Sequence, residues 1–163
     1  NTFAGISVAA GISPGATGGS DVALNLKYAD LVDGLTISAG MSDLNPSQAN
    51  GAGETSFSAS YVMGGLTVAV TDYAYDDDAA SGTDYDAMHY GASFAVNDDL
   101  SISVGRQDVS IGTNATDEEN QGVSASYTMG SMSFTAFANK ASNVGGSAGT
   151  DTEAKGVTVS FSF

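Results

Sequence analysis

One histidine, His89, and an uneven charge set of 19 Asp plus Glu against 4 Lys plus Arg hold the acid–base and ligating chemistry of this 163-residue chain. His89 with Asp84 and Asp86 has the composition of an acid–base group. It stands alone on a strand of alternating parity, with no second dyad in the sequence, so it reads as a wall residue rather than a base. The acids Asp76, Asp77 and Asp78, with Asp84 and Asp86, offer hard oxygens of the kind that take Ca²⁺. They lack EF-hand spacing and the Gly-rich nonapeptide pattern, so a solvated acidic loop is the stronger expectation, and Asp117-Glu118-Glu119 reads the same way. Gly51-Ala52-Gly53 is a loop with no helix after it, hence no dinucleotide fingerprint. With no Cys there is no disulfide framework, zinc site or thiol nucleophile. Neither an enzymatic role nor a cofactor is expected.

The formal charge of −15 argues against nucleic acid, which needs clustered Lys and Arg. It also disfavours docking on an anionic cytoplasmic surface. No apolar run approaches the ~20 residues of a transmembrane helix. Asn1 is not an initiating Met and leads straight into apolar alternation without a signal peptide, so a mature form or a fragment is expected. The mean hydropathy of −0.00 resembles that of a soluble protein. Such an average conceals strands that alternate apolar with polar residues.

Period 2 is the dominant signal. Leu35-Thr36-Ile37-Ser38-Ala39-Gly40-Met41-Ser42 alternates cleanly, as do Phe57 to Tyr61, Leu100 to Val104 and Val157 to Phe163, and no helical stripe is sustained. The pattern predicts ten strands, over 2–12, 21–31, 35–44, 54–63, 66–75, 86–96, 100–110, 121–129, 132–142 and 154–163. Ten residues at ~3.3 Å each and a tilt of about 45° span roughly 23 Å, close to the apolar band of a membrane barrel. Short turns (32–34, Gly64-Gly65, 97–99, Gly130-Ser131) alternate with long Gly-, Ser- and Asp-rich loops, as in barrels with short periplasmic turns.

An aromatic residue precedes each short turn. Tyr28, Tyr61, Phe94 and Tyr127 are spaced by 33 residues, and Phe161 follows 34 later. On one apolar face they form a girdle for a membrane–water interface, with Phe57, Tyr73, Tyr75, Tyr85 and Tyr90 as an opposite girdle. The apolar faces Val22 to Tyr28, Leu35 to Met41, Met88 to Val96 and Val123 to Met129 carry no charge. The other faces carry Ser, Thr, Gly and Ala with Asn25, Lys27 and His89, which suit a wet lumen. Leu100, Ile102 and Val104 are even, whereas Val109 and Ile111 are odd. A bulge at Gly105 is therefore expected, turning Arg106 and Asp108 toward the lumen, and a similar switch between Val70 and Tyr73 brings Asp72 inward. A soluble β-repeat is the alternative, disfavoured by the alternating loop lengths.

The closing strand Gly156-Val157-Thr158-Val159-Ser160-Phe161-Ser162-Phe163 resembles the terminal strand of Gram-negative outer-membrane proteins, which ends in Phe. That resemblance implies recognition of Phe163 by the barrel-assembly machinery. The whole chain is similar to the last ten strands of a 16-stranded general porin, with an Asp- and Gly-rich texture like alphaproteobacterial porins of Rhodobacter relatives. The resemblance implies an all-β, antiparallel up-and-down transmembrane β-barrel, in which residues 1–163 form one unit and further strands lie upstream. It also implies an outer-membrane location among lipid and lipopolysaccharide, a homotrimer, and wall bases drawn from Lys27, Arg106 and Lys140. Ten-stranded barrel proteases use Asp and His near the rim, but are longer than this chain. The expected function is passive diffusion of small hydrophilic solutes and ions, with a weak cation preference from acidic loops at the mouth. The alternatives are a secreted β-rich surface or adhesin protein, or a small outer-membrane barrel enzyme.

Overall fold

β-branched and aromatic residues alternating with small polar ones suit a pleated ladder, and most of the described residues form one. The computed structural model describes residues 2–3, 5–14, 20–29, 32–44, 52–77 and 83–162. The strands are β1 (Thr2–Phe3), β2 (Ile6–Pro14), β3 (Ser20–Ala29), β4 (Leu35–Leu44), β5 (Ala52–Met63), β6 (Leu66–Asp77), β7 (Tyr85–Ala95), β8 (Leu100–Ile111), β9 (Glu118–Met129), β10 (Met132–Ser142) and β11 (Thr152–Phe161). Each pairs antiparallel with its sequence neighbours in a single sheet of order β1 to β11. A 3₁₀ turn, Val144–Gly146, lies between β10 and β11. Among the described residues no pairing joins β11 to β1 or β2, so the sheet has two open edges.

The expected strand 2–12 is in fact divided. Gly5 takes φ 81°, the chain doubles back, and the short β1 pairs with the start of β2, Thr2 with Ser7 and Phe3 with Ile6. The other nine predicted strands correspond to β3 to β11, with several running one to three residues further toward the long loops. Short turns fit their residues. Gly64 and Gly130 both adopt φ 59°, a left-handed conformation that glycine enters without a Cβ penalty. In the turn between β7 and β8, the Asn97 Oδ1 accepts the N–H groups of Asp99 and Leu100 at 2.9 and 2.8 Å. The short-turn rim is itself laced, since Val62 N–H donates to Gly34 O, Ala95 N–H to Gly65 O, and Thr128 N–H to Asp99 O.

The ladder is paired one residue to one residue throughout β5 to β10. Gly91, Gly105 and Gly122 stand side by side, and no extra residue is inserted at Gly105. Faces therefore follow parity without interruption. Among the described residues only Ala87 is buried, at 8% exposure. Among the described residues no second layer covers the sheet; Ile6, Val8, Leu24, Leu26, Val104, Val123 and many other large apolar side chains lie exposed. An apolar face of this extent is far beyond what a soluble monomer leaves open.

Candidate functional site

The two faces differ in chemistry. Following the register from strand to strand, one face carries Val8, Leu26, Ala39, Ala59, Val70, Tyr90, Val104, Val123, Ala138 and Val157, an apolar wall. The other carries serines, threonines, glycines and amides. Its hydroxyls meet across the strands: Ser38 and Ser58 lie 2.6 Å apart, Ser103 and Ser124 2.7 Å, Ser126 and Thr135 2.7 Å. Such pairs bind neighbouring strands while leaving lone pairs for water or solute.

On the polar face a hollow of about 670 Å³ opens over the Gly91, Gly105 and Gly122 row, bordered by Thr71, His89, Gln107, Asn120 and Asn139. Three glycines abreast flatten the wall, and the amides above them supply donors and acceptors without net charge. Asn120 Nδ2 donates to Glu118 Oε1 at 2.8 Å, fixing its orientation. Charged side chains on the rungs of this face are few among the described residues: Asp21, Lys27, Glu54, Asp77 and Glu118.

The residues expected to line a lumen separate into two groups. Asn25, Lys27 and His89 lie on the polar face, opposite Gly40, Ser38 and Thr71 respectively. Asp72, Arg106 and Asp108 lie on the apolar face, since Asp72 pairs with Phe57 and Met88, Arg106 with Tyr90, and Asp108 with Met88. The expected phase switches at Gly105 and beyond Val70 are absent because the ladder is unbroken there. What they were meant to explain has another resolution: Tyr73, Val109 and Ile111 sit on the polar face with Tyr75 and Tyr85.

The proposed aromatic girdle shares one face. Tyr28 stands across from Ile37 while Tyr61 stands across from Leu35, and the same two-residue offset separates Tyr61 from Phe94, Phe94 from Tyr127, and Tyr127 from Phe161. With strands ~4.8 Å apart and ~3.3 Å per residue, rings at one height require a strand tilt of about 35°, the value of closed barrels. The second girdle does not form as expected. Phe57 and Tyr90 are on the apolar face, whereas Tyr73, Tyr75 and Tyr85 are on the polar one.

Charge on the apolar face is the feature parity reveals and the sequence reading missed. Arg106, Lys140 and Lys155 are three of the four Lys and Arg of the chain, and all lie on the apolar face of β8 to β11. Arg106 Nη2 meets Asp108 at 2.8 Å and Glu119 at 3.1 Å, Lys140 meets Asp151 at 3.1 Å, and Lys155 meets Glu153 at 3.2 Å. On β2 to β4 the same face stays apolar from Ile6, Tyr28 and Leu35 up to Ile12, Val22 and Met41.

The acid–base and ligand candidates come apart as well. Asp76 and Asp77 project to opposite faces of β6, and Asp78 lies outside the described residues. His89 and Asp86 likewise take opposite faces, while the Asp84 carboxylate accepts the Asp77 N–H at 3.0 Å. Phe163, the expected assembly signal, lies outside the described residues. The long loops at 112–117 and 143–151 tie together: Gly145 N–H donates to Glu118 Oε2 at 2.8 Å and Asn143 Nδ2 to Asp117 O at 3.2 Å. Lys140 and then the Asn143 N–H stabilise the Asp151 carboxylate, which titrates below the usual carboxylate range.

The chain matches no protein-family model and no curated protein sequence. It is similar in structure to solved barrels. OmpT with loop L8 deleted, an outer membrane protein of Vibrio cholerae, superposes with a TM-score of 0.68 at 16% identity over 99% of this chain and 60% of that one. In-vitro folded OmpT gives 0.65 at 16% identity over 98% and 59%, and its trimer form 0.53 at 16% over 94% and 62%. The chain thus spans about 60% of the length of the structures it matches. The alphaproteobacterial resemblance finds no support in these Vibrio structures. The fold is that of an outer-membrane β-barrel, ten long antiparallel up-and-down strands, an architecture of the bacterial outer membrane.

Proposed function

We propose that this chain is the wall of a water-filled porin channel in a bacterial outer membrane, passing small hydrophilic solutes and ions by diffusion. The observation that carries this reading is the two-faced sheet. One side is an exposed apolar wall with a level aromatic girdle; the other is a hydroxyl, amide and glycine surface suited to water. No chemical step is required of it: His89 lies across from Thr71 and Gln107, and its nearest acid in sequence, Asp86, projects to the other face. Acids outnumber bases on the polar face, and more crowd the long-loop rim, so the mouth enriches cations.

Upstream strands complete the barrel in this reading, lipid and lipopolysaccharide surround it, and the assembly machinery recognises its closing strand. The ion-paired side chains on β8 to β11 supply the argument for a homotrimer. Lys and Arg facing hydrocarbon cost about 2–4 kcal/mol at the bilayer midplane, so that patch fits against protein better than against acyl chains. The test is reconstitution into planar bilayers. Stepwise ohmic conductance, with a reversal potential favouring K⁺ across a KCl gradient, is expected. Absence of conductance would sink the channel, and a chloride-favouring potential would sink the charge preference alone.

A further inference from the structure

The polar face is not uniform. Near the long loops it carries a plate of apolar and aromatic groups: Tyr73 and Tyr75 on β6, Tyr85 on β7, Val109 and Ile111 on β8. Ala87, the residue buried most deeply in the described structure, lies beneath it between Tyr73 and Val109. Tyr75 faces Tyr85 across the ladder with ring centroids 6.1 Å apart and planes inclined by 53°. On the other flank Tyr75 stands across from Glu54. The Glu54 carboxylate accepts Tyr73 Oη at 3.0 Å and Ser42 Oγ at 3.1 Å, so both oxygens are held in place. Beside this group a hollow of about 420 Å³ opens, floored by Gly11, Ala23 and Gly40 and closed by Asn25, Glu54 and Tyr73.

A wall serving only to hold water has no need of three clustered tyrosines, and a wall packing only against itself has no need of a half-buried carboxylate beside an open hollow. We propose that Glu54, Tyr73, Tyr75 and Tyr85 form a binding subsite at the long-loop end of the polar face for small organic cations that carry an ammonium group on an apolar body. Tyrosine faces attract an ammonium through the ring quadrupole, and apolar solute surface is removed from water against the same rings. Glu54, pre-oriented by two hydroxyl donors, supplies the counter-charge. The acidic excess along this face raises the local cation concentration and delivers such solutes to it. This subsite deepens the channel reading in naming a preferred solute, yet its binding step does not depend on conduction.

The experiment uses the full chain folded in detergent micelles, titrated calorimetrically with benzyltrimethylammonium and with benzyl alcohol as the neutral ring control. Folding of every variant is checked by far-UV circular dichroism. Saturable binding of the cation is expected, with benzyl alcohol at least tenfold weaker. Glu54→Gln and the double variant Tyr75→Leu/Tyr85→Leu should each weaken the cation at least fivefold, while Asp108→Asn, on the opposite face, leaves it unchanged. Benzyltrimethylammonium should also block the K⁺ current from the long-loop side in a Glu54-dependent way. No binding by the wild-type chain, equal binding of the neutral control, or affinity of Glu54→Gln within twofold of wild type each overturns the proposal. Glu54-dependent binding without any conductance supports the subsite and overturns the channel; conductance with Glu54-independent block does the reverse.

Discussion

Arg106 stands directly across the β7–β8 ladder from Tyr90, and the Tyr90 hydroxyl and the Arg106 guanidinium both reach Asp108, at 3.3 Å and 2.8 Å. These three side chains share the face that carries the aromatic row, so charged groups of both signs occupy the apolar face of the sheet. A carboxylate and a guanidinium bound together lose less on leaving water than either alone, though such pairs rarely add stability by themselves. Their placement is therefore more informative about what the wall touches than about how firmly it folds.

If that patch is a contact between copies, reversing its sign should separate them. Arg106→Glu places a third acid beside Asp108 and Glu119 and should reduce the oligomer to monomer in mild detergent, measured by light scattering. The unit conductance per barrel should stay within about 20% of wild type, a margin chosen because the change lies on the outward face. An unchanged oligomer mass would remove the patch from the interface.

Neighbouring positions on β8 should respond in opposite ways. Val104 lies on the apolar face and Ser103 on the polar one. Val104→Arg should cost about 2–4 kcal/mol in urea unfolding from lipid vesicles, the midplane value for a lipid-facing Arg. Ser103→Arg should change stability by less than about 0.5 kcal/mol and shift the reversal potential toward anions. Equal destabilisation by both substitutions would contradict the face assignment.

The loop lacing gives a pH dependence with a definite sign. The Asp151 carboxyl is depressed below its ordinary value of 3.8, chiefly by Lys140 and then by the Asn143 N–H. A depressed acid contributes its stabilisation above its unfolded value and loses it as pH falls through the folded one. The 143–151 loop should therefore hold its order above about pH 5 and loosen below pH 4, detected as faster proteolysis within that loop. Asp151→Asn should show the loosened cleavage rate at both pH values.

Turn glycines should rank by what surrounds them. At Gly64, with φ 59° and open space around a built Cβ, substitution by Ala costs only the left-handed penalty, about 1–2 kcal/mol. At Gly34, with φ 79°, a Cβ would collide with the Val62 carbonyl oxygen, and the Val62 N–H, donating to Gly34 O at 2.9 Å, holds the two residues close. Gly34→Ala should destabilise more than Gly64→Ala in the same urea titration, and the reverse order would contradict this account of the rim.

The ten long strands, the turn positions and the one-faced aromatic row were legible in the sequence because each rests on local rules: period 2, glycine at positive φ, and a repeat of 33 residues. Arg106, Asp108 and Asp72 were misplaced for a physical reason. The rule that charge avoids an apolar wall conflicts with parity here, and a bulge at Gly105 would reconcile them by turning Arg106 inward. The ladder keeps parity instead, because every unpaired backbone group at a bulge would have to find another partner. Setting parity aside also hid the Glu54 subsite, since Tyr73, Tyr75 and Tyr85 were read as a membrane girdle. Strict alternation from Leu66 through Val70 places Tyr73 and Tyr75 on the polar side, and alternation from Phe94 back through Tyr90 does the same for Tyr85. The Arg106–Glu119 contact depends on the register of β8 against β9, and Lys140–Asp151 on the path of the loop between β10 and β11, which no local pattern specifies.

An unbroken ladder also limits how this chain can change. From Ala52 to Ser142 nearly every strand residue is keyed to a partner on each side, so a single inserted residue inside a strand would exchange its inner and outer surfaces beyond that point. Length can vary freely only in the long loops, or within strands by two residues at a time. Descendants of this sequence should therefore differ in loop length by any number, while their strands differ, if at all, by even ones.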